Sequence, residues 1–419
     1  MTFIKTPMKG MPEQLPDDMQ VKEYALSKIK QTYGRFGFTL IETPCIEHIE
    51  NLTKNQGCEN EKLIFKILKR GEKLEESIAA GNLDELSDSG LRYDLTVPLS
   101  RFYANNANVL PMPFKAFQVG NVWRADRPQK GRFRQFMQCD IDIIGDSSNL
   151  AEIELISSTV TMLGELGLGN VTVRINDRRL LKSMATACDI EQEKLSSVFI
   201  ALDKLDKIGI NGVKEELAKL EIARSSIEQY CSYFENTQNL STCKQFFENF
   251  KKAEDVDASK NIDDIIYCVK DVISKNGNII FDPTLVRGMS YYTGTIFEIS
   301  LEEMNMSIAG GGRYDKMIGE FCGLDVPACG FSIGFERILW LLKQNNFRDS
   351  SENQKVAYLI SKDVSVEKTK QTMQVVATKR ANGEQVLISP RNKNVKLQKE
   401  RLFELGYTKF IDVFEDTEL

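Results

Sequence analysis

Histidine is almost missing: the chain has a single one, His48, among 419 residues. One imidazole cannot build a multi-histidine metal site, and its setting in CIEHIENL reads as a strand-to-helix junction. The scarcity also removes a hydrolase reading of Gly330, Ser332 and Gly334, which match the G-x-S-x-G nucleophile pattern, because no histidine follows them to act as base. Nine cysteines are scattered with no C-x2-C pair, so neither a zinc knuckle nor a disulfide framework is supported, and no resident metal is expected. No apolar run approaches the roughly 20 residues of a membrane span, and Met1 to Gly10 lacks a secretory apolar core. A cytoplasmic location without a membrane partner is the expectation. A Walker loop is absent too: the glycines of AGGGRYD, Ala309 to Asp315, are not followed by Lys-Ser or Lys-Thr, and a tight turn is expected there, with Arg313 and Tyr314 closing a wall.

What is present is a charge reversal. The chain as a whole carries a formal charge of −6, yet Arg124, Arg127, Lys130, Arg132 and Arg134 face only Asp126 in the loop at the tip of VGNVWRADRPQKGRFRQFMQCDIDIIG, Val119 to Gly145. On either side, Val119, Val122 and Trp123, then Phe133, Phe136, Cys139, Ile141 and Ile143 alternate as two strands do. Guanidinium groups at the ends of such a hairpin suit phosphate, which they grip with a planar fork. Taken alone, the segment reads sooner as an exposed hairpin with a solvated charge run.

Around the hairpin, Asp18 to Phe36 has helical spacing, stopped by Gly34 and Gly37 before a strand at Phe38 to Glu42. Lys62 to Lys69 reads as a strand, and the acidic Glu72 to Gly90 as a solvated excursion. From about Arg178 to Gly277 the alternation fades into helical spacing, as in LDKLDKIGINGVKEELAKL. A hydrophilic linker, Lys343 to Gln354, precedes an α/β segment with strands at Lys355–Ser361, Gln385–Ser389 and Lys409–Phe414, and helices at Val364–Ala381 and Val395–Leu405. Twelve basic residues stand against five acidic ones between Lys355 and Ile411, the footprint of a nucleic-acid surface or of a merely soluble one. Its stacking candidates are few: Phe410 and Phe414 read as core, leaving Tyr407 near a tip.

Arg124 with the run Arg132 to Phe136 resembles the second motif of class II aminoacyl-tRNA synthetases. LRYDLTVPL (Leu91 to Leu99), LVRGMSYYTGTIFE (Leu285 to Glu298), AGGGRYD and ACGFSIGFERILWLL (Ala328 to Leu342) follow in the order of histidyl-tRNA synthetases, the last feeding a helix from near Phe335. That resemblance implies an α+β fold: an antiparallel sheet flanked by helices over 1–342, a helical insertion at about 178–277, a linker at 343–354, and a shortened anticodon-binding-like α/β domain at 355–419. It implies ligation of L-histidine to tRNA(His) through a histidyl-adenylate, with ATP and Mg2+ as substrate and no tightly bound cofactor, by a homodimer formed through the first motif, roughly Asp18 to Pro44. Arg124 would bridge the histidine carboxylate and the α-phosphate, Arg287 would lie across that phosphate as the second catalytic arginine, and Arg337 would hold the γ-phosphate. Asp94, Thr96 and Gln138 would surround the α-ammonium, with Asp142 and Tyr292 at the imidazole and Tyr291 as a further histidine-binding position; Leu95 belongs to the same segment with its side chain facing the other way. Gln138, Asp140 and Asp142 alternate and share one strand face. Arg127 and Gln129 at the loop tip would contact tRNA, and the insertion would either lean on its acceptor arm or merely cover the sheet. Ser290 stands where the family has aspartate, which removes a charge beside Arg287. The regulatory subunit of ATP phosphoribosyltransferase resembles the same core and is the rival, non-catalytic reading.

Overall fold

A computed structural model describes residues 3–54, 61–128, 133–235, 242–248, 250–287, 291–301, 306–344 and 355–418. Gln129 and Ser290 lie outside the described residues, as do 345–354 of the expected linker. The strands, in chain order, are β1 (Thr39–Ile41), β2 (Ile46–His48), β3 (Lys66–Leu68), β4 (Ser87–Leu91), β5 (Phe114–Trp123), β6 (Gln135–Ile144), β7 (Val171–Asp177), β8 (Gly277–Phe281), β9 (Thr295–Leu301), β10 (Met306–Arg313), β11 (Ala328–Gly334), β12 (Lys355–Ile360), β13 (Val386–Pro390) and β14 (Tyr407–Val413). The chain forms two compact units, Met1–Pro12 with Ser27–Leu341 and Glu13–Leu26 with Leu342–Leu419.

The first unit is α+β. Its eight-stranded sheet runs β1-β5-β6-β11-β10-β9-β7-β8. The end pairs, β1 with β5 and β7 with β8, are parallel, and the strands between them are antiparallel. The long apolar alternation flanking Arg124 becomes the β5–β6 hairpin, so that Gln138, Asp140 and Asp142 lie opposite Gly334, Ser332 and Gly330 of β11. Helices Leu150–Glu165 and Val256–Ile273 pack on each other and on this sheet through Leu155, Ile156, Val160, Leu163, Ile262, Ile265 and Val269, all fully buried. Between β7 and β8 the chain is helical, as its spacing indicates: Arg178–Thr186, Leu195–Leu202, Leu205–Ala218, Arg224–Ser232 and Cys243–Glu248 precede Val256–Ile273. Helix Arg178–Thr186 starts directly off β7, its first turn capped by the Asp177 carboxylate, which accepts from Arg179 N.

Three readings need correction. The acidic stretch Glu72 to Gly90 is not an unstructured excursion, since it holds helix Glu72–Ala79 and then β4, which pairs with β2 and β3 in a separate sheet. Gly90 allows a close fit there, because a Cβ would lie 3.0 Å from the Leu52 side chain and 3.1 Å from the Phe65 carbonyl. Of the expected strand Lys62 to Lys69 only Lys66–Leu68 forms, the preceding Leu63 and Ile64 turning into a small cluster with Leu52 and Tyr93. The glycines at 310–312 make no turn; they lie inside β10, and a Cβ on Gly311 would sit 2.0 Å from the Gly330 carbonyl, so the run lets two strands approach closely.

In the second unit β13, β12 and β14 form a parallel sheet around Val356, Tyr358, Val376, Val386 and Val413. Helices Val366–Ala381 and Val395–Glu404 connect the strands, and Gly406 ends the latter with φ +89°. Within the same unit Gln20 Nε2 donates to Leu405 O at 3.0 Å. The exposed aromatics differ from expectation: Phe403 and Phe414 face solvent, while Tyr407 is half-buried, because Phe414 falls one residue past the end of β14.

Arg313 does not close a wall of a pocket. It leaves β10 as the centre of a buried cluster, with Nε and Nη2 each 2.7 Å from the two Glu152 oxygens and further bonds to the Asp146 and Ser148 carbonyls. Burial alone would pull its pKa down, but the Glu152 pair holds it above the ordinary arginine value. Glu152 keeps 1% of its side-chain exposure, so removing its partner strands a charge. Arg313→Ala should therefore cost about 3–5 kcal/mol of unfolding free energy in chemical denaturation, and a loss below about 1 kcal/mol would mean the pair is only a surface contact.

Candidate active site

The face of β6 that carries Gln138, Asp140 and Asp142 floors a cavity of about 120 Å³, whose walls are Asp94, Thr96, Arg124, Arg287, Tyr291, Tyr292, Gly310, Gly311, Tyr314, Gly330, Phe331 and Ser332. A larger cavity of about 450 Å³ shares Arg124, Gln138, Arg287, Gly310 and Ser332 with it and extends over Tyr93, Asp126, Phe136, Glu336 and Arg337. The inner space suits a single small side chain, and only the outer one has room for a nucleotide. Most of the expected residues thus converge. Leu95 does not: its side chain is buried away from the cavity, and its carbonyl accepts from Gln118 Nε2 at 3.2 Å. Arg127 is exposed in the loop and lines neither space.

Each position has a local cause. Asp94 lies one residue before the N-cap of helix Thr96–Asn106, and its Oδ1 accepts from Val97 N in the first turn at 3.2 Å, which fixes the carboxylate against the cavity. Gln138 Nε2 donates to Ser332 Oγ at 2.8 Å, and Ser332 donates to Asp140 Oδ1 at 2.6 Å. Gln138 Oε1 is left buried with no hydrogen-bond partner among the described residues, an acceptor ready for a ligand N–H. Tyr314 O–H donates to Asp142 Oδ1 at 2.6 Å. The Tyr291 and Tyr292 rings pack at 4.8 Å, and both residues also line a separate cavity with Arg178, Lys182 and Lys316.

The two arginines at the junction are held differently. Arg124 stacks 4.2 Å from the Tyr93 ring and 5.1 Å from the Phe136 ring, and its Nε donates to Tyr93 O at 3.2 Å. Arg287 Nη1 pairs with Glu298 Oε2 at 2.7 Å. Arg337, at the start of helix Phe335–Gln344, donates to the Ser307 carbonyl across the outer cavity. The sequence reading left four participants unassigned: Tyr93 and Phe136, which sandwich Arg124, Asp140, and Glu298. Strand alternation already put Asp140 on the right face. No local pattern marks Glu298, because its link to Arg287 depends on the strand register.

Electrostatically the site is polar along its length. Burial, reinforced by the neighbouring Asp142, raises Asp140 well above the ordinary carboxylate value. Burial likewise pushes Asp142 up to about 7, with Asp94 adding to the shift and the Tyr314 hydrogen bond opposing it. The deep end is therefore a crowd of carboxylates and the junction a pair of arginines.

Known proteins resemble the chain as a whole. Residues 10–338 match the family model described as histidyl-tRNA synthetase. The histidine–tRNA ligase of Leifsonia xyli subsp. xyli is 39% identical over 422 residues, covering 98% of this chain and 96% of the relative. The probable histidine–tRNA ligase of Tropheryma whipplei is 43% identical over 348 residues, 81% of this chain and 80% of its own. Among solved structures, histidyl-tRNA synthetase from Nostoc sp. PCC 7120 superposes with TM-score 0.77 at 26% identity, covering 97% of this chain and 90% of that one. The ATP phosphoribosyltransferase regulatory subunit/histidyl-tRNA synthetase from Bacillus halodurans C superposes with TM-score 0.77 at 21% identity, over 98% of this chain and 99% of that one, a likeness of fold.

The raised Asp142 value has a stability consequence. A carboxyl that holds its proton more tightly folded than unfolded loses stability as pH rises from the ordinary value near 4 to its folded value of about 7, and stays at that cost above it. Asp142→Asn should accordingly stabilise the ligand-free protein at pH 8 by on the order of 1–3 kcal/mol and leave it nearly unchanged at pH 4. Equal melting shifts at both pH values would show that the carboxylate is not paying a burial cost.

Proposed function

The chain belongs to the histidyl-tRNA synthetase family, and we infer from that premise and from the polarised double cavity that it joins L-histidine to tRNA(His) at the expense of ATP. The reaction has two steps. A histidine carboxylate oxygen attacks the α-phosphorus and the bond to the β-phosphate breaks, releasing diphosphate. A terminal ribose hydroxyl of tRNA then attacks the acyl carbon, losing its proton as AMP departs. The observation that carries the reading is the arrangement of charge: carboxylates deep in a small cavity, arginines where it meets a larger one. An amino acid with a proton-donating ring and an α-ammonium fits inward, with its carboxylate turned toward the nucleotide.

In this reading Asp142 and Tyr292 face the imidazole, and Asp94, Thr96 and the unpartnered Gln138 Oε1 receive the α-ammonium. Buried polar groups left unpaired reject the wrong side chain far more strongly than shape does. Arg124 bridges the histidine carboxylate and the α-phosphate, its plane fixed by Tyr93 and Phe136. Arg287 faces the same phosphate from the other side, and Arg337 takes the γ-phosphate. Both reactants of the first step are anions, so charge cancellation and in-line positioning carry most of the work. Magnesium enters with ATP; Asp126 and Glu336 are the carboxylates of the outer cavity that would face it.

The family's ligases act on tRNA, and the exposed Arg127 in the hairpin loop suits its acceptor end. The helical insertion would lean on the same arm through Arg178 and Lys182. The basic α/β unit adds affinity through phosphate contacts, which makes its contribution salt-dependent. A homodimer through the first motif is supported by the edge position of β1, where Leu40 is 53% exposed. An activity on tRNA supports a cytoplasmic location.

Histidine-dependent ATP–pyrophosphate exchange by the purified protein tests the activity directly. Arg287→Ala should reduce the exchange rate by about 100- to 1000-fold, the range for loss of one oxyanion donor, with a smaller effect on ATP affinity; a rate within about threefold of the parent takes it off the catalytic residues. Arg127→Ala should slow tRNA charging and spare exchange, whereas equal losses in both assays would put it in the adenylation step instead.

A further inference from the structure

Arg287 is not left to find the phosphate by itself. Its Nη1 donates to Glu298 Oε2 at 2.7 Å, and Glu298 sits on β9 directly opposite Arg174 of β7 and Gly310 of β10. The second Glu298 oxygen lies 3.5 Å from Arg174 Nη1. Arg174 is anchored in turn: its Nε pairs with Asp282 and its Nη2 donates to Thr284 Oγ1 at 3.3 Å. Asp282 is fixed by the Thr284 hydroxyl at 2.6 Å and the Thr284 N–H at 2.9 Å. The Arg287 guanidinium also lies over Gly310, where a Cβ would come within 2.6 Å of its carbon and displace it.

We propose that Glu298, steadied by Arg174, is a positioning residue that holds the Arg287 guanidinium in the plane needed at the α-phosphate. This rests on the reading of Arg287 given above. The physics favours a positioning role over simple neutralisation. Glu298 engages Arg287 through one nitrogen and offers its other oxygen to Arg174, so its charge is divided between two cations, and Arg287 still lines both cavities at their junction. A long side chain with many rotamers forfeits much of its catalytic effect unless something fixes it before the substrate arrives. The anchor is on β9, an interior strand paired on both sides, which is the rigid support such a group needs. The segment between Arg287 and Tyr291 supplies no carboxylate, being Gly288, Met289 and Ser290.

The test is a double-mutant cycle in pyrophosphate exchange with the full-length protein: Glu298→Ala, Glu298→Gln, Arg287→Ala and the Arg287→Ala/Glu298→Ala double variant, each checked by thermal melting. Glu298→Ala should lower kcat by about 10- to 100-fold with KM for histidine within about threefold. Glu298→Gln, which keeps an acceptor for Nη1, should recover part of that loss. The double variant should be no slower than Arg287→Ala alone, because without the guanidinium nothing remains to be positioned. Effects that multiply in the double variant would overturn the proposal, as they would show Glu298 acting independently of Arg287. So would a Glu298→Ala enzyme within threefold of the parent while Arg287→Ala is crippled, an outcome that leaves the role of Arg287 standing. An Arg287→Ala enzyme near parental rate would instead strike that role itself. Should Glu298→Ala fail to fold, the Gln variant runs the same cycle and is judged by the same non-additivity.

Discussion

Three carboxylates, those of Asp94, Asp140 and Asp142, are buried together, and everything else about the site depends on how that is tolerated. Like charges in a low dielectric cannot all stay ionised without compensation, so two of the three are pushed toward holding protons. The folded protein answers with donors: Val97 N to Asp94, Ser332 to Asp140, Tyr314 to Asp142. In the proposed function, a ligand with an ammonium and a ring N–H supplies the donors that these bonds leave out.

The other end of the cavity reverses the sign. Arg124 and Arg287 stand at the mouth shared with the larger space, where an anion can be gripped with little water to weaken the attraction. Their supports differ in kind. Aromatic faces orient Arg124 without consuming its charge, whereas Arg287 is tied to a carboxylate whose charge a second arginine shares. The first device leaves an arginine strongly attractive, and the second makes it accurately placed.

The sheet is what brings these groups to bear. Glycine at 310 and 311 in β10, and at 330 in β11, gives up side chains so that Arg287, the Gly330 carbonyl and Asp142 can occupy their places; a Cβ on Gly330 would lie 2.0 Å from Asp142 Oδ1. Just beyond that stretch Arg313 turns away to Glu152, a fully committed ion pair serving stability alone. Arg287, which lies against Gly310 in space, and Arg313, which follows Gly312 in the chain, thus do opposite jobs, and the difference lies in what each faces.

Much was legible beforehand. Alternation across Val119 to Gly145 marked the hairpin and put Gln138, Asp140 and Asp142 on one face, and the fading of alternation after Arg178 marked the helices, because side-chain period is a local property of the chain. The order of motifs carried the family, as the match over residues 10–338 shows. What failed was partnership over distance. Composition made Glu72 to Gly90 look solvated, yet β4 within it completes a sheet with β2 and β3. The glycines at 310–312 looked like a turn, and only the pairing of β10 with both β9 and β11 shows them as a strand. Glu152 meets Arg313 across 161 positions, and Glu298 meets Arg174 through register. Sequence by itself determined which residues are periodic and which are charged; tertiary structure decided which charge each one sees, since a register spanning separate segments is set by how the whole sheet packs and not by any stretch within it.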